Sequence, residues 1–464
     1  MRPSLVFSAL VVPVVLVVFG VWFFVAPEGK TVSQVEARAL AKLPAFSFTE
    51  LREGRFTRDL DLYVADHFPL RESFVSFTFG LRARFGVRRE STVYASKGGA
   101  LGGMEDPHAW QPPTVEVPDA AVEVDPLLEE DAGVESEEED AGRFVEAAED
   151  AGAEPLVEAA ATEKGGVLIQ GGRGMMLLSA TDETARGFAK VLASYGEAFP
   201  KARVYAVMVP GAGAFYLPAS HRDRSADELH NLEVMRSALP PSVKWVDVAG
   251  ALAQHTDEAL YYRTDHHWTA RGAWYGYRAM MQAAELEPLS WEAFSFKPMP
   301  APTLGSLFRM TQDPQLERAP DVTEFPTPPV EYQSVAYVGA KYDVPQKRRF
   351  IDEKAEGYLV FMGGDTALMA AKTNVKNGRR ALLVKNSFGN PLGPMLLPHF
   401  EQVVVADYRM YFGTVASLVK RFRITDVFVQ NATLTANDPY HRGRLKLALF
   451  TTVTFTDGGV VFGR

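Results

Sequence analysis

Short apolar runs alternate with helix-like stretches through the later part of this chain, and no other feature constrains its fold as strongly. Val204–Val209 is an unbroken apolar run ended by Pro210-Gly211, the mark of a strand buried on both faces. Further runs fall at Val243–Val248, Tyr358–Met362, Ala381–Val384, Gln402–Val405 and Asp426–Val429. Helices are expected over Thr181–Phe199 (with Thr181 or Asp182 near its N-cap), Asp227–Ala238, Ala270–Ala284 and Thr414–Phe422, and near Pro394. Val167–Ile169 and Met175–Leu178 read as short strands around a Gly-rich turn. The alternation predicts an α/β domain over 164–464, with a mainly parallel sheet covered on both faces.

The chain begins very differently. Leu5–Val25 is a run of twenty-one residues without a charge, long enough to cross a hydrocarbon core of roughly 30 Å. It ends Phe23-Phe24-Val25-Ala26-Pro27, without a convincing small-residue cleavage site, so residues 1–27 are expected to be a retained transmembrane anchor rather than a cleaved signal. Either reading puts the remainder outside the cytoplasm. Residues 28–104 read as a helical part packing on the α/β domain. Val32, Val35, Ala39 and Leu43 lie at roughly helical spacing over Thr31–Leu43, and an amphipathic stretch runs from Gly54 to Phe85.

Charge separates a third region. Between Glu105 and Glu163 stand twenty acidic residues and one basic residue, Arg143, leaving 47 basic and 38 acidic residues elsewhere. The formal net charge of −10 therefore belongs to one segment, and the rest carries +9. Residues 105–163 have too little apolar area to offset ordering entropy and read as a disordered acidic insertion. The chain has no cysteine, which excludes disulfides, thiolate metal sites and a cysteine nucleophile. It also lacks a P-loop and a GxGxxG after a strand, which argues against nucleotide-driven chemistry.

Two stretches carry reactive groups. In Thr264-Asp265-His266-His267-Trp268-Thr269, just before a helix, an extended backbone would aim Asp265 and His267 at one side and turn His266 away. A carboxylate beside a histidine fixes its tautomer and stabilises the imidazolium during proton transfer. The same residues also read as a capped helix start, and no second cluster with ligand spacing supports a metal site. In Lys385-Asn386-Ser387-Phe388-Gly389-Asn390 a buried strand stops at a turn bearing a serine, where open α/β sheets present ligand-binding groups. Ser387 reads as a nucleophile whose own N–H helps hold an oxyanion, or as a helix cap. Arg409, Tyr411 and Asn431 follow later strands and read as side-chain donors for an oxyanion or substrate, or as structural residues. Gly363-Gly364-Asp365 stands in the same position. Tyr261, Tyr262 and Trp268 read as core aromatics or as platforms for sugar rings.

The Asp265-His266-His267-Trp268 tetrad, with Thr269 and Gly272-Ala273 after it, resembles the DHHW protein family. It is similar to the catalytic domains of alginate O-acetylation proteins, which are SGNH hydrolase-like. The resemblance extends to Asp66–Arg71, Tyr205–Pro210, Leu304–Phe308, Lys385–Asn390, Asp407–Arg409 and Asp426–Asn431. It implies an SGNH-hydrolase-like three-layer sandwich and a triad with Ser387 as nucleophile, His267 as base and Asp265 as orienting carboxylate, with no cofactor and no metal. It further implies a bacterial inner-membrane protein, held by residues 5–25, whose catalytic domain lies in the periplasm. There it would transfer acetyl groups to hydroxyls of a polysaccharide, the donor supplied by a membrane acyl-transport partner and no nucleic acid involved. An esterase with the same triad and a non-catalytic assembly scaffold are the rivals. Relatives commonly carry Asp before the serine, where this chain has Asn386.

Overall fold

The computed structural model describes residues 161–338, 342–456 and 459–463, with scattered positions between 32 and 64. The expected anchor over 5–25 and nearly all of the acidic insertion lie outside the described residues. Among the described residues no helix is long and apolar enough to cross a membrane. The chain divides into two compact units, residues 1–90 and 91–464. In the first, Val32–Ser33 pairs antiparallel with Arg38–Ala39, so these four residues are extended where helical spacing predicted a helix.

In the second unit a three-stranded antiparallel ribbon comes first: β1 (Thr162–Lys164), β2 (Val167–Gln170) and β3 (Arg173–Met176). Helix α1 (Asp182–Ala198) follows, its N-cap Thr181 sharing a reciprocal capping box with Thr184. Then come β4 (Arg203–Val209), α2 (Glu228–Ser237), β5 (Val243–Val246), α3 (Val248–Ala253), α4 (Ala270–Ala283) and α5 (Ser306–Thr311). The last third holds β6 (Tyr332–Val338), β7 (Val344–Lys347), β8 (Leu368–Thr373), β9 (Arg380–Lys385), α6 (Leu392–Leu396), β10 (Gln402–Asp407), α7 (Val415–Arg421), β11 (Asp426–Ala432), α8 (Thr433–Ala436) and α9 (Pro439–Phe450).

Eight of these strands form one sheet in the order β7-β6-β8-β10-β9-β11-β4-β5. The five from β10 to β5 run parallel, while β7, β6 and β8 join antiparallel at one side. The sheet is thus mainly parallel, as expected, with an antiparallel flank that the alternation did not announce. Side-chain alternation builds two cores from the same strands. Ala381, Leu383 and Phe428 belong to one face, with Leu252, Met280 and Leu396 of α3, α4 and α6. Leu382, Val384 and Val427 belong to the other, with Phe188, Met235, Leu418 and Leu445 of α1, α2, α7 and α9. Helices on both faces give the layered α/β architecture that the alternation implies.

Two corrections concern elements. Tyr358–Met362 is not a strand; Gly357–Val360 forms a 3-10 turn. Helix α9, announced by Asp438 at the N-cap and Pro439 at the first helical position, was not anticipated.

Candidate active site

The sheet brings the reactive stretches together at the carboxyl ends of its parallel strands. β9 ends at Lys385, and the chain turns at once into a 3-10 turn, Ser387–Gly389. Asn386 caps that turn, its side-chain oxygen accepting the Phe388 N–H at 3.1 Å. A Cβ on Gly389 would lie 2.5 Å from Lys385 Cβ and 2.8 Å from Gln430 Oε1, so only glycine lets the turn fold back this tightly. Facing it is a loop drawn together by the Tyr261–Trp268 bridge and by Tyr262 N–H donating to the His267 carbonyl at 3.2 Å. Thr269 then caps α4. The Trp268 indole donates to the Phe388 carbonyl at 2.9 Å and ties the two loops directly.

Across this junction Asp265, His267 and Ser387 form a continuous hydrogen-bonded chain. His267 Nε2 lies 2.8 Å from Ser387 Oγ, and His267 Nδ1 lies 2.7 Å from Asp265 Oδ1. Asp265 Oδ1 also accepts the His267 backbone N–H at 2.9 Å, while Oδ2 accepts the Ser306 N–H at 2.8 Å. Burial pushes the Asp265 carboxyl up, but the adjacent imidazole and these hydrogen bonds outweigh it and hold the group well below the usual carboxylate range. The carboxylate is therefore the charged, fixed end of the chain, and the imidazole is oriented with one nitrogen on the serine. Asp321 anchors the loop from behind, accepting the Arg263 and Thr264 N–H groups at 2.7 and 2.8 Å.

His266 does not face away. The loop bends at this point instead of running extended, and the His266 ring lies 3.8 Å from that of His267. It shares the cleft wall with Ser387, Arg409, Glu228, Met176 and Leu307. Its Nδ1 pairs with Ser306 Oγ at 2.6 Å. Burial, and then the neighbouring His267, lower its pKa to about 3, so it is neutral at physiological pH. Asp265, His266 and His267 bring one ligand-type atom each within 4.8 Å of one another. Within this triplet the Asp265 oxygens, both His267 nitrogens and His266 Nδ1 already serve the hydrogen bonds just described.

The remaining candidates separate. Arg409 reaches the cleft wall, but Nη2 is bonded to Asp365 at 2.7 Å and Asp407 at 2.6 Å, and Nε to Asp407 at 2.9 Å. Lys385, fully buried and opposite Asp407 in the β9–β10 ladder, donates to the same carboxylate at 2.8 Å. Two cations and two carboxylates therefore close on themselves, with Asp365 also accepting from Asn390. The group pins the strand ends beside Ser387 rather than presenting a free charge. Asn431, next to last in β11, accepts from Asn386 Nδ2 at 2.8 Å, so it braces the serine turn. Tyr411 is not in the cleft: its ring packs on Tyr342 at 4.7 Å within the opposite core. Tyr261, Tyr262 and Trp268 are buried, which rules them out as sugar platforms.

Sequence reasoning missed two residues. Tyr358, in the 3-10 turn, lies flat on the His267 ring at 3.9 Å with 7° between planes. Glu228, at the start of α2, lines the cleft and accepts the Gly211 N–H at 2.7 Å. Burial, opposed in part by that hydrogen bond, raises its pKa to about 7. Neither sits in a local pattern that marks it; both reach the site only through the tertiary fold.

The layered α/β sheet thus carries a buried Ser–His–Asp hydrogen-bonded chain at the carboxyl ends of its parallel strands. The chain belongs to the DHHW protein family, whose model matches residues 160–406, more than half of its length. It is similar to a DHHW family protein from Eubacterium siraeum, at 26% identity and TM-score 0.59, over 63% of this chain and 99% of that one. Two other similar structures are Bacillus cereus PatB1 carrying a sulfonyl adduct (16% identity, TM-score 0.49, 61% and 97% of the two chains) and the O-acetyltransferase domain of Pseudomonas putida AlgJ (17%, TM-score 0.32, 61% and 96%). No curated protein matches the chain.

Proposed function

We propose that this protein is an extracytoplasmic, membrane-anchored O-acetyltransferase acting on a polysaccharide through an acetyl-Ser387 intermediate. The observation that carries the reading is the Asp265–His267–Ser387 chain, with both hydrogen bonds at 2.7–2.8 Å and all three groups buried, Ser387 at the cleft wall. In the first half-reaction Ser387 Oγ bonds to the carbonyl carbon of the acetyl donor and its proton passes to His267 Nε2. The donor's leaving oxygen takes that proton as its bond to the acetyl carbon breaks. In the second, a sugar hydroxyl gives its proton to His267 and bonds to the acetyl carbon, and His267 passes that proton to Ser387 Oγ as the Oγ–acetyl bond breaks. Asp265 holds the tautomer that leaves Nε2 able to accept, and it stabilises the imidazolium formed within each half-reaction. The Ser387 N–H, first in its turn and without an acceptor inside it, is the backbone donor assigned to the developing oxyanion.

Acetyl transfer to a polymer, rather than release to water, is carried over from the likeness of the Asp265–Trp268 stretch to alginate O-acetylation proteins. A donor outside the cytoplasm requires a membrane partner to deliver it. The test incubates the full chain with an activated acetyl ester and a neutral oligosaccharide, then weighs the products. Acetylated oligosaccharide from wild type and none from Ser387→Ala or His267→Ala supports transfer. Free acetate alone makes the protein an esterase, and equal inertness of all three makes it a scaffold.

A further inference from the structure

We propose that Tyr358 is a positioning residue that sets the base and the nucleophile of the triad relative to each other, its ring fixing the plane of His267 and its hydroxyl fixing the peptide of Ser387. The inference rests on the catalytic reading of Ser387, His267 and Asp265.

The geometry is specific on both sides. The Tyr358 and His267 rings are nearly parallel, 7° apart in plane and 3.9 Å apart at their centroids. The Tyr358 hydroxyl donates to the Ser387 carbonyl at 2.9 Å. That carbonyl also accepts the Asn390 N–H at 3.1 Å, so both of its lone pairs are engaged.

Hydrogen bonds alone leave the site under-determined. His267 is held at Nδ1 by Asp265 and at Nε2 by Ser387. Both contacts lie in the ring plane and resist tilting of the ring only weakly, so packing must hold its faces. Tyr358 supplies a nearly parallel contact, with the tilted rings of His266 at 3.8 Å and Phe388 at 4.8 Å completing the enclosure. Edge contacts from Tyr262 at 6.2 Å and Phe361 at 5.3 Å hold the Tyr358 ring in turn. On the serine side, the Asn386–Phe388 cap bond fixes the start of the turn, and the Tyr358–Ser387 bond fixes its first carbonyl. Tyr358 belongs to neither loop, so it adds a tie between two segments that also meet at the reacting atoms, through the Trp268–Phe388 hydrogen bond, and through the Phe388 ring against His266 and His267. Burial, reinforced by Tyr262 and Asp265, holds the phenol far above its usual pKa, which keeps the hydroxyl a donor throughout the neutral range.

The test measures kcat and KM of the full chain on an activated acetyl ester for wild type, Tyr358→Phe, Tyr358→Leu and Ser387→Ala, with folding checked by circular dichroism. Tyr358→Phe keeps the stacked ring and loses one hydrogen bond, so kcat is expected to fall about five- to tenfold with KM within about twofold. Tyr358→Leu loses both contacts, and kcat is expected to fall on the order of a hundredfold, again with little change in KM. Phenylalanine thus rescues part of what leucine loses. A kcat within twofold of wild type in both variants, or a loss confined to KM, overturns the proposal. If the leucine variant does not fold, the phenylalanine variant decides alone. If wild type turns over no faster than Ser387→Ala, the triad reading has failed and this inference falls with it, an outcome distinct from an active wild type that is indifferent to Tyr358.

Discussion

Gly305→Ala tests whether activity depends on the exact seat of Asp265. A Cβ on Gly305 would lie 2.3 Å from Asp265 Cβ, 2.7 Å from its Cα and 2.8 Å from its backbone N. Ordinary carbon–carbon contact is roughly 3.5 Å, so the two segments must separate by about 1.2 Å. Nothing at the contact is a flexible side-chain end; the obstacles are the backbone and first side-chain carbon of Asp265. The strain cannot simply be shed elsewhere, because the Ser306 N–H grips Asp265 Oδ2 from the residue next to Gly305. A displacement near 1 Å of a group that orients a catalytic base costs on the order of a hundredfold in rate. Overpacking of this kind also destabilises by about 1–3 kcal/mol. The assay is kcat/KM on an activated acetyl ester, with thermal unfolding followed in parallel. Gly443→Ala is the control: it lies in α9 with no atom within 4 Å of the added methyl, and its activity should match wild type. A folded Gly305→Ala protein with kcat/KM within threefold of wild type would refute the argument that Asp265 placement limits the rate.

Other expectations concern the surroundings of the site. Asn386→Asp replaces an amide that donates to Asn431 Oδ1 at 2.8 Å and Thr435 Oγ1 at 2.9 Å with a buried acceptor, and should cost about 2–4 kcal/mol at pH 7 by chemical denaturation; a change below about 0.5 kcal/mol would contradict the role given to the amide. Asp407→Ala leaves the fully buried Lys385 with only Asp365 at 3.5 Å and should destabilise by about 3–5 kcal/mol, measured the same way. Glu228, raised to about 7 by burial, holds its proton when folded across a window in which the unfolded chain, at about 4.5, has released it. Its contribution is therefore fully present below about pH 4.5 and is lost as pH rises through about 7, on the order of 3 kcal/mol in all. Glu228→Gln should remove that loss, so its unfolding midpoint gains on wild type between pH 5 and pH 8. A constant difference across that range would show that Glu228 does not titrate as described.

The parts of this protein legible in its sequence are those dictated locally or by strand periodicity. Ala381–Val384 and Val204–Val209 read as buried strands because every residue is apolar, and both faces of the sheet indeed carry a core. Thr181 and Thr269 were readable as caps from their place before helices. Leu368–Thr373 was missed because its alanines carry no strand signal; its partners β6 and β10 make it a strand. Tyr358–Met362 misled for the opposite reason, since an apolar run alone does not separate a strand from a buried turn. Spacing suggested that Asp265 and His267 share a side, and they do meet, but with Asp265 Oδ1 bonded to both the His267 N–H and Nδ1 in a bent loop, which is why His266 joins the cleft. Arg409 looked like a substrate ligand because sequence does not show that Asp365 and Asp407 already hold its guanidinium.

The most direct measurement is the intact mass of the full chain after brief exposure to an activated acetyl ester, with the modified peptide then sequenced. The expected result is a mass gain of one acetyl group on wild type, located at Ser387. The gain should be absent in Ser387→Ala and strongly slowed in His267→Ala. An acetyl group found on other residues only, or gained equally by wild type and both variants, would contradict a nucleophilic Ser387.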